Sequence, residues 1–169
     1  NYKNSVIAIG NFDGVHIGHK KVLNAAYKKA KKMKKKFGLL TFEPVPVMFF
    51  NKKIINHRLD IQPQKISNLK KEKLDFVIIQ KFNKKFSKLS YKDFIYKILF
   101  QKIKCKFLYV SKNFKFGNKR EGNVSKLKKF EKNYYYKTII TPPLKKKRKT
   151  IGDKFNILYI LNIYNFIFL

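Results

Sequence analysis

The sequence predicts an α/β fold, a parallel sheet with helices on both faces. Two observations carry that prediction: short apolar, β-prone runs alternate with helix-period segments along most of the chain, and the two most unusual loops each follow directly on a strand. At 169 residues the chain suits one domain, and 44% hydrophobic with 16% aromatic content supplies a core, which excludes a disordered chain.

The elements follow in order. "SVIAIG" (5–10) reads as a strand ending in glycine, and "HKKVLNAAYKKAKKMKKK" (19–36) as a helix whose Val22, Leu23, Ala26, Ala30 and Met33 recur at helical spacing. "FGLLTF" (37–42) is a buried strand that completes a first βαβ unit. "EPVPVMFFNKK" is a loop whose two prolines prevent helix continuation. A helix around 64–73, a strand over 75–82 and a helix over 90–102 repeat the pattern, with Ser90 and Asp93 forming a loose capping box. A strand over 106–111, a loop over 112–123, a helix over 124–132 and a strand over 134–140 complete it. In such a sheet ligands bind at the carboxyl ends of strands, where the loops 10–19 and 112–123 fall. The boundary is placed at residue 144, with 1–144 as the folded domain and 145–169 as a degenerate or truncated C-terminal segment.

Composition narrows the classes further. The balance of 41 Lys+Arg against 9 Asp+Glu gives a formal charge of +32, which attracts phosphates, nucleic acid or anionic membranes. The excess is nearly all lysine and runs through every segment instead of forming one basic stripe with interleaved aromatics. It therefore reads as lysine drift on solvated faces, and no specific nucleic-acid partner is expected. A single cysteine, Cys105, excludes an intramolecular disulfide and points to a reducing, cytoplasmic setting. The chain opens without Met or a signal peptide, one short step before a strand, as a fragment or a domain cut from a longer product would. Its final apolar run, "FNILYILNIYNFIFL", falls short of the ~20 residues a membrane-spanning helix needs.

The chemistry concentrates in "GNFDGVHIGHKK" (10–21), which holds two of the three histidines. His16 and His19 are three apart and share one face if a helix starts near Val15 or Ile17. Gly10, Gly14 and Gly18 let backbone approach an anion, the helix N-terminus offers free N–H groups, and Lys20 and Lys21 follow. These are the parts of a polyphosphate site. Zinc binding finds only His57 and Cys105 as further ligands, neither at a suggestive spacing. The G-x-G-x-x-G dinucleotide fingerprint is absent. A purely structural capping pair is the remaining alternative.

The stretch "GNFDGVHIGH" resembles the His-x-Gly-His motif of bacterial FMN adenylyltransferases, the N-terminal half of bifunctional riboflavin kinase/FAD synthetases. Three further stretches, in family order, strengthen the resemblance: "TFEPVP" (41–46), "FNKKFSKLSYKDFI" (82–95) and "NFKFGNKREGN" (113–123). The resemblance implies a Rossmann-like nucleotidyltransferase domain that transfers AMP from ATP to FMN, giving FAD and pyrophosphate with Mg2+ assisting. By resemblance the catalytic residues would be His16, His19 and Asn113. ATP would be held by Gly10, Asn11, Phe12, Asp13, Gly14, His16, Gly18, His19 and Arg148. Flavin would lie against Thr41, Phe42, Glu43, Pro44, Asn113, Phe114, Phe116 and Gly117.

The chain departs from the family pattern at Val45, where members carry His, and at Ser111 and Lys112, where they usually carry Gly-Glu or a similar pair. The family's Ser-Ser-Thr-x-x-Arg segment is missing, with "PLKKKRKTIGDK" in roughly its place and Arg148 as the stand-in for its Arg. The riboflavin kinase half is not found in these residues, so riboflavin phosphorylation is not expected. Alternatives are a catalytically impaired flavin- or ATP-binding remnant, a basic nucleic-acid module, and a nucleotidyltransferase with a different acceptor. Oligomeric state and metal ligands are not legible.

Overall fold

Five strands, β1 (Val6–Ile9), β2 (Phe37–Glu43), β3 (Phe76–Lys81), β4 (Phe107–Ser111) and β5 (Lys137–Thr141), form one sheet in the order β3-β2-β1-β4-β5 with every pairing parallel. The computed structural model describes residues 2–13, 17–51 and 62–142. His16, Gly14 and Arg148 therefore lie outside the described residues, as do the C-terminal segment 145–169 and its apolar run.

Strand alternation sends side chains to both faces, and each face has its own core. Val6, Ala8 and Leu39 pack with Val22, Leu23, Ala26 and Ala30 of α1 (Ile17–Lys32) and with Leu69 of α3 (Gln62–Lys70). Ile7, Ile9, Leu40 and Leu108 pack on the opposite side with Phe94, Ile95, Ile98 and Leu99, and with Val124 and Leu127 of α6 (Val124–Lys129). Helices thus cover both faces, as the sequence predicts for a Rossmann-like sheet. Asp75 pins the entry to β2: its carboxylate accepts from Phe37 N–H at 2.6 Å while its own N–H donates to Phe37 O at 2.8 Å.

Several expectations are corrected. The first helix ends at Lys32, because Lys34 turns left-handed (φ 51°) and Lys35 N–H reaches back to Ala30 O; Met33 is consequently 41% exposed instead of lying in the core. The proline loop contains a short helix, α2 (Pro46–Phe50), since a proline at the first helical position gives up an N–H that has no partner there anyway. Where one α-helix over 90–102 is expected, a helical turn, α5 (Tyr91–Asp93), leads into a π-helical segment, Phe94–Ile103, and a further turn, α4 (Lys84–Ser87), precedes them. In that segment Phe94 and Leu99, and Ile98 and Ile103, are buried pairs five residues apart, which i→i+5 winding brings into line on the sheet.

The last strand starts at Lys137, not at Tyr134. Tyr134 instead stacks on Phe130 and lies tilted against Phe100, Tyr135 turns left-handed, and the Tyr136 hydroxyl donates to Leu127 O at 2.6 Å. Packing overrides the β-propensity of three tyrosines. Among the described residues no helix is long and apolar enough to cross a membrane.

Candidate active site

The sheet order reverses direction at β1: one connection leads outward through β2 to β3, and the chain later returns to place β4 on the other side. Loops leaving neighbouring strands at such a switch point diverge and open a crevice at the carboxyl ends. A cavity of about 700 Å³ lies there, lined from both sides by the loops that follow β1 and β4.

The β1 loop is held by three contacts. Gly10 N–H donates to Leu40 O, and Thr41 Oγ1, on a residue 1% exposed, donates to Asn11 O at 2.8 Å. Phe12 takes a left-handed backbone (φ 48°) and buries its ring so close to Gly10 that a Cβ there would stand 2.9 Å from it. The same ring lies 4.9 Å from the imidazole of His19, in the first turn of α1. Phe12 therefore joins the strand end to the histidine, and a bulkier residue at position 10 would displace both. Gly10, Asn11, Phe12, Gly18 and His19 all line the cavity, while Asp13 does not.

The β4 loop makes the opposite wall. Ser111, Lys112 and Asn113 emerge from the strand, and Phe114 and Phe116 stack at 5.5 Å with 19° between their planes. An antiparallel bridge between Phe116 and Gly122 closes the loop. Gly117 has φ 76°, and a Cβ there would come within 2.8 Å of Tyr91 N, so the loop meets the start of α5 at a position only glycine fits. Asn118 N–H donates to Leu89 O at 2.7 Å, and Glu121 Oε1 accepts from Tyr91 N–H at 2.8 Å.

Between the loops runs an aromatic wall. Phe42, Phe82 and Phe86 contact one another at 5.5–6.3 Å between ring centres, Phe50 joins at Phe82, and Phe94 joins at Phe86. Asn83 caps α4 by accepting from Phe86 N–H at 2.8 Å, which fixes the turn carrying Phe86. Cations line the rim: Lys21, Lys112, Lys115, Lys119 and Arg120. No carboxylate lines the cavity among the described residues. A flat apolar body carrying several negative charges matches this surface.

Sequence-predicted residues divide accordingly. Phe42, Asn113, Phe114, Phe116 and Gly117 meet the β1-loop residues at one cavity. Thr41, Glu43 and Pro44 lie outside its lining, and Thr41 instead anchors Asn11 from behind. Val45 is buried at the N-cap of α2 and makes no side-chain cap hydrogen bond. Sequence reasoning took no site residue from the aromatic wall of Phe50, Phe82, Phe86 and Phe94 or from the cation pair Lys119 and Arg120. Phe82, Phe86, Phe94, Lys119 and Arg120 do sit inside the motif stretches, which is the available signal.

A family model described as FAD synthetase matches residues 1–155. The chain belongs to the FAD synthetase family. The bifunctional riboflavin kinase/FMN adenylyltransferase of Buchnera aphidicola subsp. Schizaphis graminum is 42% identical over 146 residues, covering 86% of this chain and 47% of that protein. The like-named protein of Haemophilus influenzae is 38% identical over 128 residues, covering 76% and 42%. The chain thus spans about half the length of the curated relatives it matches. The crystal structure of a macrolide-efflux protein from Streptococcus pneumoniae shares the fold, with TM-score 0.75 at 22% identity over 95% of this chain and 53% of that one.

Proposed function

We propose that the chain is an FMN adenylyltransferase, joining the phosphate of FMN to the adenylyl group of ATP to give FAD and pyrophosphate. The observation that carries the reading is the convergence of the β1 and β4 motif loops on one cavity with an aromatic wall and a cationic rim. The relatives named for this activity support it.

The nucleophile is an FMN phosphate oxygen, and a phosphate monoester with its second pKa near 6 is already largely dianionic at neutral pH, so no general base is required. That oxygen forms a bond to the α-phosphorus of ATP, the bond from that phosphorus to the bridging oxygen breaks, and pyrophosphate leaves with the electron pair. The protein's work is positioning and charge stabilisation. His19, with His16 of the same motif, holds the ATP phosphates, Asp13 and Gly14 belong to the loop around the nucleotide, and Arg148 stands in for the family's arginine. The aromatic wall takes the flavin, with Thr41 and Glu43 of β2 and the following Pro44 supporting it, and the Asn113 amide stands beside the reacting phosphate.

The lining offers amide and hydroxyl oxygens but no carboxylate among the described residues, and no group of three or more His, Cys, Asp or Glu side chains there could hold a metal. These residues do not fit a resident Mg2+, so the ion belongs to the MgATP substrate. A cytoplasmic setting accords with the free, buried Cys105.

Incubation of the protein with FMN and MgATP, following FAD by chromatography and pyrophosphate by a coupled assay, tests the reading. His16→Ala and His19→Ala are each expected to slow FAD formation by about 100-fold or more, the loss of a transition-state donor. A folded sample that binds both substrates yet forms no FAD would reduce the chain to a binding remnant. One that binds neither would reject the reading.

A further inference from the structure

The turn Asn118–Arg120 in the β4 loop carries two adjacent non-glycine residues in the left-handed region, Lys119 (φ 49°) and Arg120 (φ 58°). L-residues rarely adopt this conformation singly, and consecutive instances persist only where surrounding structure over-determines them. The surroundings here do so: Gly117 abuts the start of α5, Asn118 N–H is bound by Leu89 O, Arg120 N–H by Gly117 O, and Gly122 N–H by Phe116 O.

Both strained residues are cations, both line the cavity, and neither side chain has a hydrogen-bond or ion-pair partner among the described residues. The one carboxylate in the loop, Glu121, is engaged by Tyr91 N–H instead of neutralising its neighbour. The N–H groups of Asn118, Arg120 and Glu121 are each already bonded to a carbonyl, so an anion at this place would be met chiefly by the two side chains.

We propose that Lys119 and Arg120 form a preset phosphate-binding pair on the β4 side of the cavity, facing the site across from the β1 loop. The chemistry they recognise is a phosphate oxyanion on a cavity-bound substrate, for which the guanidinium fork and the ammonium supply charge-assisted hydrogen bonds. This rests on the FMN adenylyltransferase reading, in which both substrates carry such groups.

The test uses Lys119→Asn and Arg120→Asn, singly and together, since asparagine tolerates the left-handed backbone and removes charge without adding strain. Binding of FMN, of riboflavin as the phosphate-free control, of ATP and of inorganic pyrophosphate is measured by flavin fluorescence and calorimetry. The double variant is expected to bind FMN or ATP about tenfold or more weakly, with riboflavin unchanged within about twofold. Selective loss of FMN assigns the pair to the flavin phosphate, and selective loss of ATP assigns it to the nucleotide. Equal weakening of FMN and riboflavin, or no change in any phosphate ligand, overturns the proposal. If the wild-type chain binds neither FMN nor ATP, the functional reading fails separately, and pyrophosphate decides the pair: binding lost in the double variant sustains it, and binding absent or unchanged overturns it.

Discussion

Thr41 shows how a residue outside the cavity can govern one inside it. Its hydroxyl donates to Asn11 O across the β2–β1 junction, and the donor residue is buried, so the bond is shielded from competing water. Removing the hydroxyl while keeping the shape, as in Thr41→Val, leaves the Asn11 carbonyl without this donor, at a cost of about 1–3 kcal/mol. Part of that cost falls on stability. The rest releases the loop joining Gly10 to Phe12 and thereby the ring against which His19 rests. Thr41→Val is expected to lower kcat/KM for ATP by about fivefold to thirtyfold in the FAD-forming assay, with Thr41→Ser restoring most of it. A melting-temperature loss with unchanged kinetics would make Thr41 a folding residue only. The sequence marks Thr41 through its motif, but a motif records which residue is present and not whether it touches ligand or holds a neighbour.

Elements differ in how legible they are, and the difference follows from where their stabilising contacts lie. The strand β1 and the helix α1 are readable because local period and burial agree. The N-cap of α5 is equally local: Ser90 Oγ accepts from Asp93 N–H at 3.0 Å. The second half of the expected box differs, since the Asp93 carboxylate accepts from the Ser90 hydroxyl at 2.8 Å and pairs with Lys97 at 2.8 Å. Those two contacts, Lys97 first, hold the Asp93 carboxyl below its ordinary pKa. Ser90→Ala should destabilise the protein by about 1 kcal/mol in urea unfolding, and Ser90→Thr should recover most of it. A change within a few tenths of a kcal/mol would mean that the π-helical segment is held by its packing alone. The aromatic wall is the opposite case. Its phenylalanines come from β2, α2, α4, the π-helical segment and the connections between them, so no local period announces that they meet.

For the whole molecule the controlling quantities are a charge of +32 and one enclosed thiol. Self-repulsion among the lysines works against the compact state. Cys105 adds a pH-dependent contribution of its own. It is buried beside the sheet, and burial pushes its pKa from the ordinary 9.0 up to about 12. Between those values the unfolded chain has released the thiol proton while the folded chain retains it. The native state then binds more protons than the unfolded state, so this thiol's contribution to stability is intact below about pH 9 and is lost as pH rises toward 12. The Tyr136 phenol, also raised chiefly by burial, adds a loss of the same sign at higher pH. The difference in stability between wild type and Cys105→Ala isolates the thiol's contribution from those of all other groups. The wild type is expected to lose stability relative to the variant above pH 9, with a slope approaching about 1.4 kcal/mol per pH unit. At pH 8 the native thiol should resist alkylation until the protein is unfolded. Parallel stability curves from pH 8 to 11, or rapid alkylation of the native protein, would show that solvent reaches Cys105 and that the core beside β4 opens far below the global unfolding free energy.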